Sequence, residues 1–121
     1  MSTRRRDSAR TQSQGSPPGR RRTIRWTDRA RNDLTEIGDF IAIGNVAAAA
    51  HWAEMFIKAV ERASAFPLNG RVVPEIDRDD IREIIQHSYR IVYRVSLKTI
   101  DVLTVFEGHC RLPADSVPED R

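Results

Sequence analysis

Cysteine is almost missing from this chain. Cys110 is the only one in 121 residues, so no disulfide framework can form, which fits a reducing compartment. Long apolar runs are missing too: the longest, around residues 46–50, falls far short of the roughly 20 residues that cross a bilayer. The start, Met1-Ser2-Thr3-Arg4-Arg5-Arg6, is basic with no apolar stretch behind it and does not read as a secretory signal. No cluster with metal-ligand spacing occurs; His109 beside Cys110 has no further ligands in sequence, so neither metal nor cofactor is expected. His51 and His87 read as an ordinary helix residue and an ordinary turn residue. What remains, 121 residues with 40% hydrophobic content, fits one small domain with a thin core, to whose stability a partner can contribute.

Positive charge is present, but in one place. The net charge is +3. Residues 1–22 carry arginines 4, 5, 6, 10, 20, 21 and 22 against Asp7 alone, a net +6, which leaves −3 for residues 23–121. The body is mildly acidic, so composition gives no support for a nucleic-acid-binding fold. Residues 1–22 hold no large apolar residue beyond Met1 and cannot offset the entropy of ordering. They read as a disordered Arg-rich tail, either a solvated appendage or an arm that touches nucleic acid.

Order is expected from Thr23, where Ile24 and Trp26 alternate as in a short strand. Thr27 or Asp28 offers the cap for a helix whose stripe is Ala30, Leu34, Ile37 and Ile41, with Asp28, Asp33, Glu36 and Asp39 on or near the other face. Gly44-Asn45 breaks it, and Asn45 can cap a second helix over residues 46–66. So short a link makes the two an antiparallel hairpin. Pro67-Leu68-Asn69-Gly70 is a turn, and a loop over 71–80 follows. Residues 81–85, 89–95 and 100–106 then read as three strands rich in branched and aromatic residues, joined by hairpin-sized links. The last link places Arg94 across from Asp101, and puts Ile91, Tyr93 and Val95 on the face toward the helices. The expected architecture is α+β, in the order β-α-α-β-β-β, with a helical hairpin on one face of an antiparallel sheet. Residues 23–113 form the domain and 114–121 a short C-terminal tail.

Certain local sequences in this order resemble the RelE/ParE toxins, the ParE branch more closely. The matching pieces are Trp26-Thr27 with Ala30, Asp33-Leu34 and Ile37; Phe66-Pro67-Leu68-Asn69-Gly70-Arg71; Ile81-Arg82-Glu83; Tyr89-Arg90-Ile91-Val92-Tyr93-Arg94; and the stretch from Leu103 through Gly108-His109. In RelE-like members the activity is cleavage of messenger RNA on the ribosome; ParE-like members poison DNA gyrase. The resemblance implies a cytoplasmic protein without membrane contact, neutralised by an antitoxin encoded beside it. Such an antitoxin, of the ribbon-helix-helix type, supplies the DNA-binding fold, so this chain meets DNA only through it.

The resemblance also names residues. Arg90 matches a position that is basic in the nucleases, where it holds a phosphate, and Arg82, Arg94 and Arg111 are further candidates for contact with a target. His109 stands about where some relatives place an acid, with Glu75 or Glu83 as the base. The competing, blander reading makes Arg90 a solvated strand arginine paired with carboxylates and His109 a polar strand-end residue. The tail after Arg111 is acidic and has no tyrosine, where many nuclease relatives carry one that stacks on a base. Cys110 stands where an arginine often follows the Gly-His pair, so an inactive remnant that only binds antitoxin is a third reading. The apolar arc of the second helix is wider than one sheet needs. Trp52, Met55 and Ala59 are therefore expected on the outer surface of the hairpin as the antitoxin site. The leading expectation is a gyrase inhibitor; the alternative is a ribosome-dependent endoribonuclease.

Overall fold

The computed structural model describes residues 21–118. Strand β1 (Thr23–Trp26) leads into helix α1 (Asp28–Gly44) and helix α2 (Val46–Ala65). A 3-10 turn (Pro67–Asn69) and a two-residue strand β2 (Arg71–Val72) follow, then β3 (Ile81–Gln86), β4 (Tyr89–Val95) and β5 (Thr99–Glu107). Each helix begins where the sequence offers a cap. Thr27 Oγ1 accepts from Ala30 N at 3.1 Å and Asn45 Oδ1 accepts from Ala48 N at 3.0 Å. Asn45 also donates its N–H to Ile41 O at 3.0 Å, so one residue closes α1 and opens α2.

The sheet order is β1-β5-β4-β3-β2. The β4–β5 hairpin places Arg94 opposite Asp101 as expected, and β3–β4 pairs antiparallel with Glu83 opposite Val92 and Ile85 opposite Arg90. The expected all-antiparallel sheet needs one correction, because β1 pairs with β5 in parallel, Thr23 against Thr99 through Trp26 against Val102. The helical hairpin separates β1 from the later strands in sequence, and β1 lies along the edge of β5. The sheet is mixed. Short β2 is a further strand the sequence did not announce; its two residues pair with Arg82 and Glu83.

Alternation along the strands splits the interior in two. Toward the helices, Ile91, Tyr93, Ile100, Val102 and Val105 meet Trp52, Phe56, Ala59, Val60 and Ala63 of α2, with Leu34 and Ile37 of α1 alongside. Register slips by one residue between Val92 and Tyr93, and α1 meets β5 just beyond the slip. There the Asp33 carboxylate accepts from Thr104 Oγ1 at 2.6 Å and from Val105 N at 3.0 Å. Asp33 therefore ties α1 to the sheet; it does not point to solvent as its helical phase suggested.

The opposite face is covered as well. Val73, Ile81, Val92, Leu103 and Phe106 form a second cluster under Ile76 of the β2–β3 loop and Leu112 and Val117 after β5. Ser116 is buried, and Arg78 donates to Pro118 O at 3.0 Å, so packing runs past the expected boundary at 113. At the other end, Arg22 donates from its N–H to Ser64 O and from Nε to Ser96 O, both at 2.9 Å. Arg21 donates to Glu61 O at 3.1 Å. These two residues belong to the domain and not to the tail; the disorder expected for residues 1–20 lies outside the described residues.

Candidate functional site

On the strand face away from the helices, Arg90 of β4 lies in line with Glu83 of β3, because both side chains point the same way across one antiparallel ladder. Its guanidinium is buried and fully engaged. Nε donates to Glu83 Oε1 at 2.7 Å, and the two terminal nitrogens hold Glu75 at 2.9 and 2.7 Å. One of them also reaches Cys110 O at 3.3 Å, and the ring of Phe106 lies 4.8 Å below. Arg71 closes the other oxygen of Glu83, whose side chain has no solvent exposure. The bidentate bond to Arg90 pulls the Glu75 carboxyl down to about 2, and the same bond raises the Arg90 guanidinium further above its ordinary value.

This geometry sorts the sequence-predicted residues. It brings Arg90, Glu75 and Glu83 together, yet as a charge-balanced network in which both carboxylates are occupied as acceptors. His109 is next in sequence to Cys110, whose carbonyl Arg90 reaches, but its own side chain is not engaged with the network. Its side chain is 75% exposed in the turn after β5, with Nδ1 4.0 Å from Glu107. Arg94 is spent on Asp101, at 3.1 Å, with Arg25 on the carboxylate's other oxygen at 3.5 Å. Arg82 donates to Asp79 O and Gly70 O, and Arg111 is exposed. Arg90 pairs with carboxylates, as the blander reading held, though buried and not solvated.

The expected outer surface of the hairpin needs correction. Trp52 and Ala59 are buried in the main cluster, and Met55 is half-buried. Trp52 stacks on Phe56 at 5.4 Å and meets Tyr89 edge-on at 5.5 Å. The Trp52, Phe56, Ala59, Val60 and Ala63 stripe of α2 is consumed by the sheet and α1, while Val46 and Ile57 of the same helix stay exposed. What the sequence did not show is an open groove of about 350 Å³ between the C-terminal half of α2 and β3. Ala59, Ala63, Phe66, Ile84 and Ile85 line it, with Arg62 and Arg71 on its rim. Within it Tyr93 Oη donates to Pro67 O at 2.6 Å, and burial pushes that hydroxyl up to about 12. Gly70 is required there, since a Cβ would strike the Tyr93 hydroxyl and the Glu83 carbonyl. The groove opens because β2 begins only at Arg71, opposite Glu83, and leaves β3 from Ile84 onward without a β2 partner; no local pattern carries that.

The model of the ParE toxin of type II toxin–antitoxin system, parDE, matches residues 24–109, most of the chain. The chain belongs to the ParE toxin family. Among ParE relatives, the match to Y4kP, a protein of Sinorhizobium fredii (strain NBRC 101917 / NGR234) named for an inferred toxin role, is 35% identical over 95 residues. It covers 77% of this chain and 95% of that protein. In fold, this ParE chain is similar to a structure from the chromosomal ParDE system of P. aeruginosa, with TM-score 0.59 at 19% identity. That likeness covers 71% of this chain and 95% of that one. A chain of the RelBE2 toxin–antitoxin complex of Mycobacterium tuberculosis is similar at TM-score 0.48 and 25% identity, over 72% and 98%, too distant to bear on the fold. No helix among the described residues of this ParE-family chain is long and apolar enough to cross a membrane.

Proposed function

We propose that this ParE-family toxin acts by binding and not by cutting RNA, and that its target is DNA gyrase. The observation that carries the reading is the enclosure of Arg90 by Glu75 and Glu83, both occupied as acceptors. RNA cleavage needs a base for the 2′-OH, cations free to meet the phosphate and an acid for the leaving oxygen. Here the candidate base is held at about 2 by Arg90, far below the pH at which a base works well, and Glu83 is sealed from solvent. Inhibition by surface contact makes no such demand.

In this reading a cognate antitoxin of the ribbon-helix-helix type keeps the toxin silent in the cytoplasm, and the α2–β3 groove receives part of it. Two features favour that seat. The floor is apolar with an arginine rim, and the β3 stretch beyond Glu83 is not covered by β2, which leaves strand edge for an added segment.

Expression of the chain without antitoxin tests the reading. DNA breaks, filamentous cells and an induced damage response are expected, with messenger RNA intact. Codon-phased cleavage by purified protein on purified ribosomes, abolished by His109→Ala, would replace it with the endoribonuclease. Cells that tolerate the protein would refute both, and Cys110→Arg is then the variant to examine for restored toxicity.

A further inference from the structure

We infer that a second groove, between α1 and the Tyr89–Glu107 end of the β4–β5 pair, is the surface that meets the target. It takes lysine and arginine side chains from the target's DNA-binding surface. The groove encloses about 480 Å³. Glu36, Ile37 and Phe40 line it from neighbouring positions of α1. Tyr89 at the start of β4 lines the other side, with Glu107 opposite it in register at the end of β5 and Cys110 just beyond. Phe40 is 72% exposed, and Ile43, one turn on, carries exposed apolar surface toward the hairpin tip. Large apolar side chains left in solvent beside a groove mark a docking surface.

Charge decides what docks there. Glu36 and Glu107 are exposed, and no lysine or arginine among the described residues lines the groove. Asp33, also on the α1 side, is already spent on Thr104 and Val105. A lysine or arginine has the matching build. Its aliphatic stem packs on Ile37 and Phe40, and its charged head meets the two carboxylates and the Tyr89 ring. An acidic segment suits the α2–β3 groove instead, whose rim is Arg62 and Arg71. The two grooves thus sort two partners by the sign of their charge. An enzyme that holds DNA presents cationic side chains to the phosphates, so a groove of this sign fits that surface. Arg90 and Arg94, expected from sequence to meet a target, are spent on carboxylates of this chain. The inference rests on the gyrase reading and adds where, and by which side-chain chemistry, the contact is made.

The test uses the full 121-residue chain, purified gyrase and the cognate antitoxin. Glu36→Lys combined with Glu107→Lys reverses both free carboxylates at exposed positions. Thermal midpoint and antitoxin affinity are expected to hold, while gyrase affinity falls at least ~10-fold. Cys110, exposed and on the groove, reports occupancy in the unaltered chain. Bound gyrase is expected to slow its alkylation by iodoacetamide at least ~10-fold, and antitoxin to leave the rate unchanged. Equal gyrase affinity of wild type and double variant, or a complex in which Cys110 stays reactive, would overturn the inference and leave the gyrase reading standing. No gyrase binding by the wild type sinks both. Three other results give the groove to a different occupant and equally overturn the inference. They are shielding of Cys110 by antitoxin, shielding that grows with the concentration of this chain alone, and faster alkylation once residues 1–20 are removed.

Discussion

At the scale of single residues, the Arg90 network is where chemistry and stability meet. Glu75 has its carboxyl lowered to about 2 by the Arg90 fork, so its contribution is fully present above the ordinary carboxylate value near 4.5. It fades as pH falls from there through about 2, because the unfolded chain takes up the proton first. Glu75→Gln has no proton to gain. It is expected to lose about 2 kcal/mol at neutral pH, and the difference from wild type should shrink across that acid window. Urea midpoints of both proteins at pH 7, 4.5, 3 and 2 measure it. Parallel curves would show that the pair adds no stability. Residue identity alone made Arg90 legible as a charged strand position. It did not show that Glu75, 15 positions away, would reach it, because the path of a loop is set by what lies beneath it.

Helix α2 shows the same division at the scale of an element. Periodicity identified its apolar positions correctly, yet it could not say which stripe faces what. Trp52 reads from sequence as surplus surface but is 7% exposed, packed on Phe56 and Tyr89. Trp52→Glu therefore puts a carboxylate into the core, with an expected loss on the order of 3–5 kcal/mol. It is a folding variant and cannot report on binding. Ile85, 50% exposed at the α2–β3 groove, can. Ile85→Glu should keep its thermal midpoint within the change of an ordinary surface substitution and bind the cognate antitoxin at least ~10-fold more weakly. Calorimetric titration with the antitoxin reads the second number. Unchanged affinity moves the seat elsewhere, and a collapsed midpoint would show that Ile85 belongs to the core.

For the molecule as a whole, the domain has edges that composition misplaced by a few residues. Arg22 is fastened at both its N–H and its guanidinium, linking the end of α2 to the β4–β5 turn. A chain beginning at Arg21 should match the full chain in thermal midpoint. One beginning at Thr23 forfeits these bonds, worth about 1 kcal/mol, and should melt about 4–8 °C lower. Equal melting of the two truncations would return the boundary to Thr23.

What the sequence determined by itself is whatever neighbours along the chain decide. Thr27 and Asn45 cap helices because their side chains reach N–H groups three residues on, at 3.1 and 3.0 Å. The short link 96–98 sets the β4–β5 register and so brings Arg94 to Asp101. The RelE/ParE resemblance was legible for a similar reason, since each of its fragments is a short contiguous stretch of one cap, turn or strand. The tertiary structure alone decided the parallel partner of β1, the cover of the second sheet face, the inward turn of Trp52 and the carboxylates around Arg90. Each joins segments separated by many residues, so its free energy depends on which surfaces meet after the chain has closed its loops. No local propensity encodes that choice.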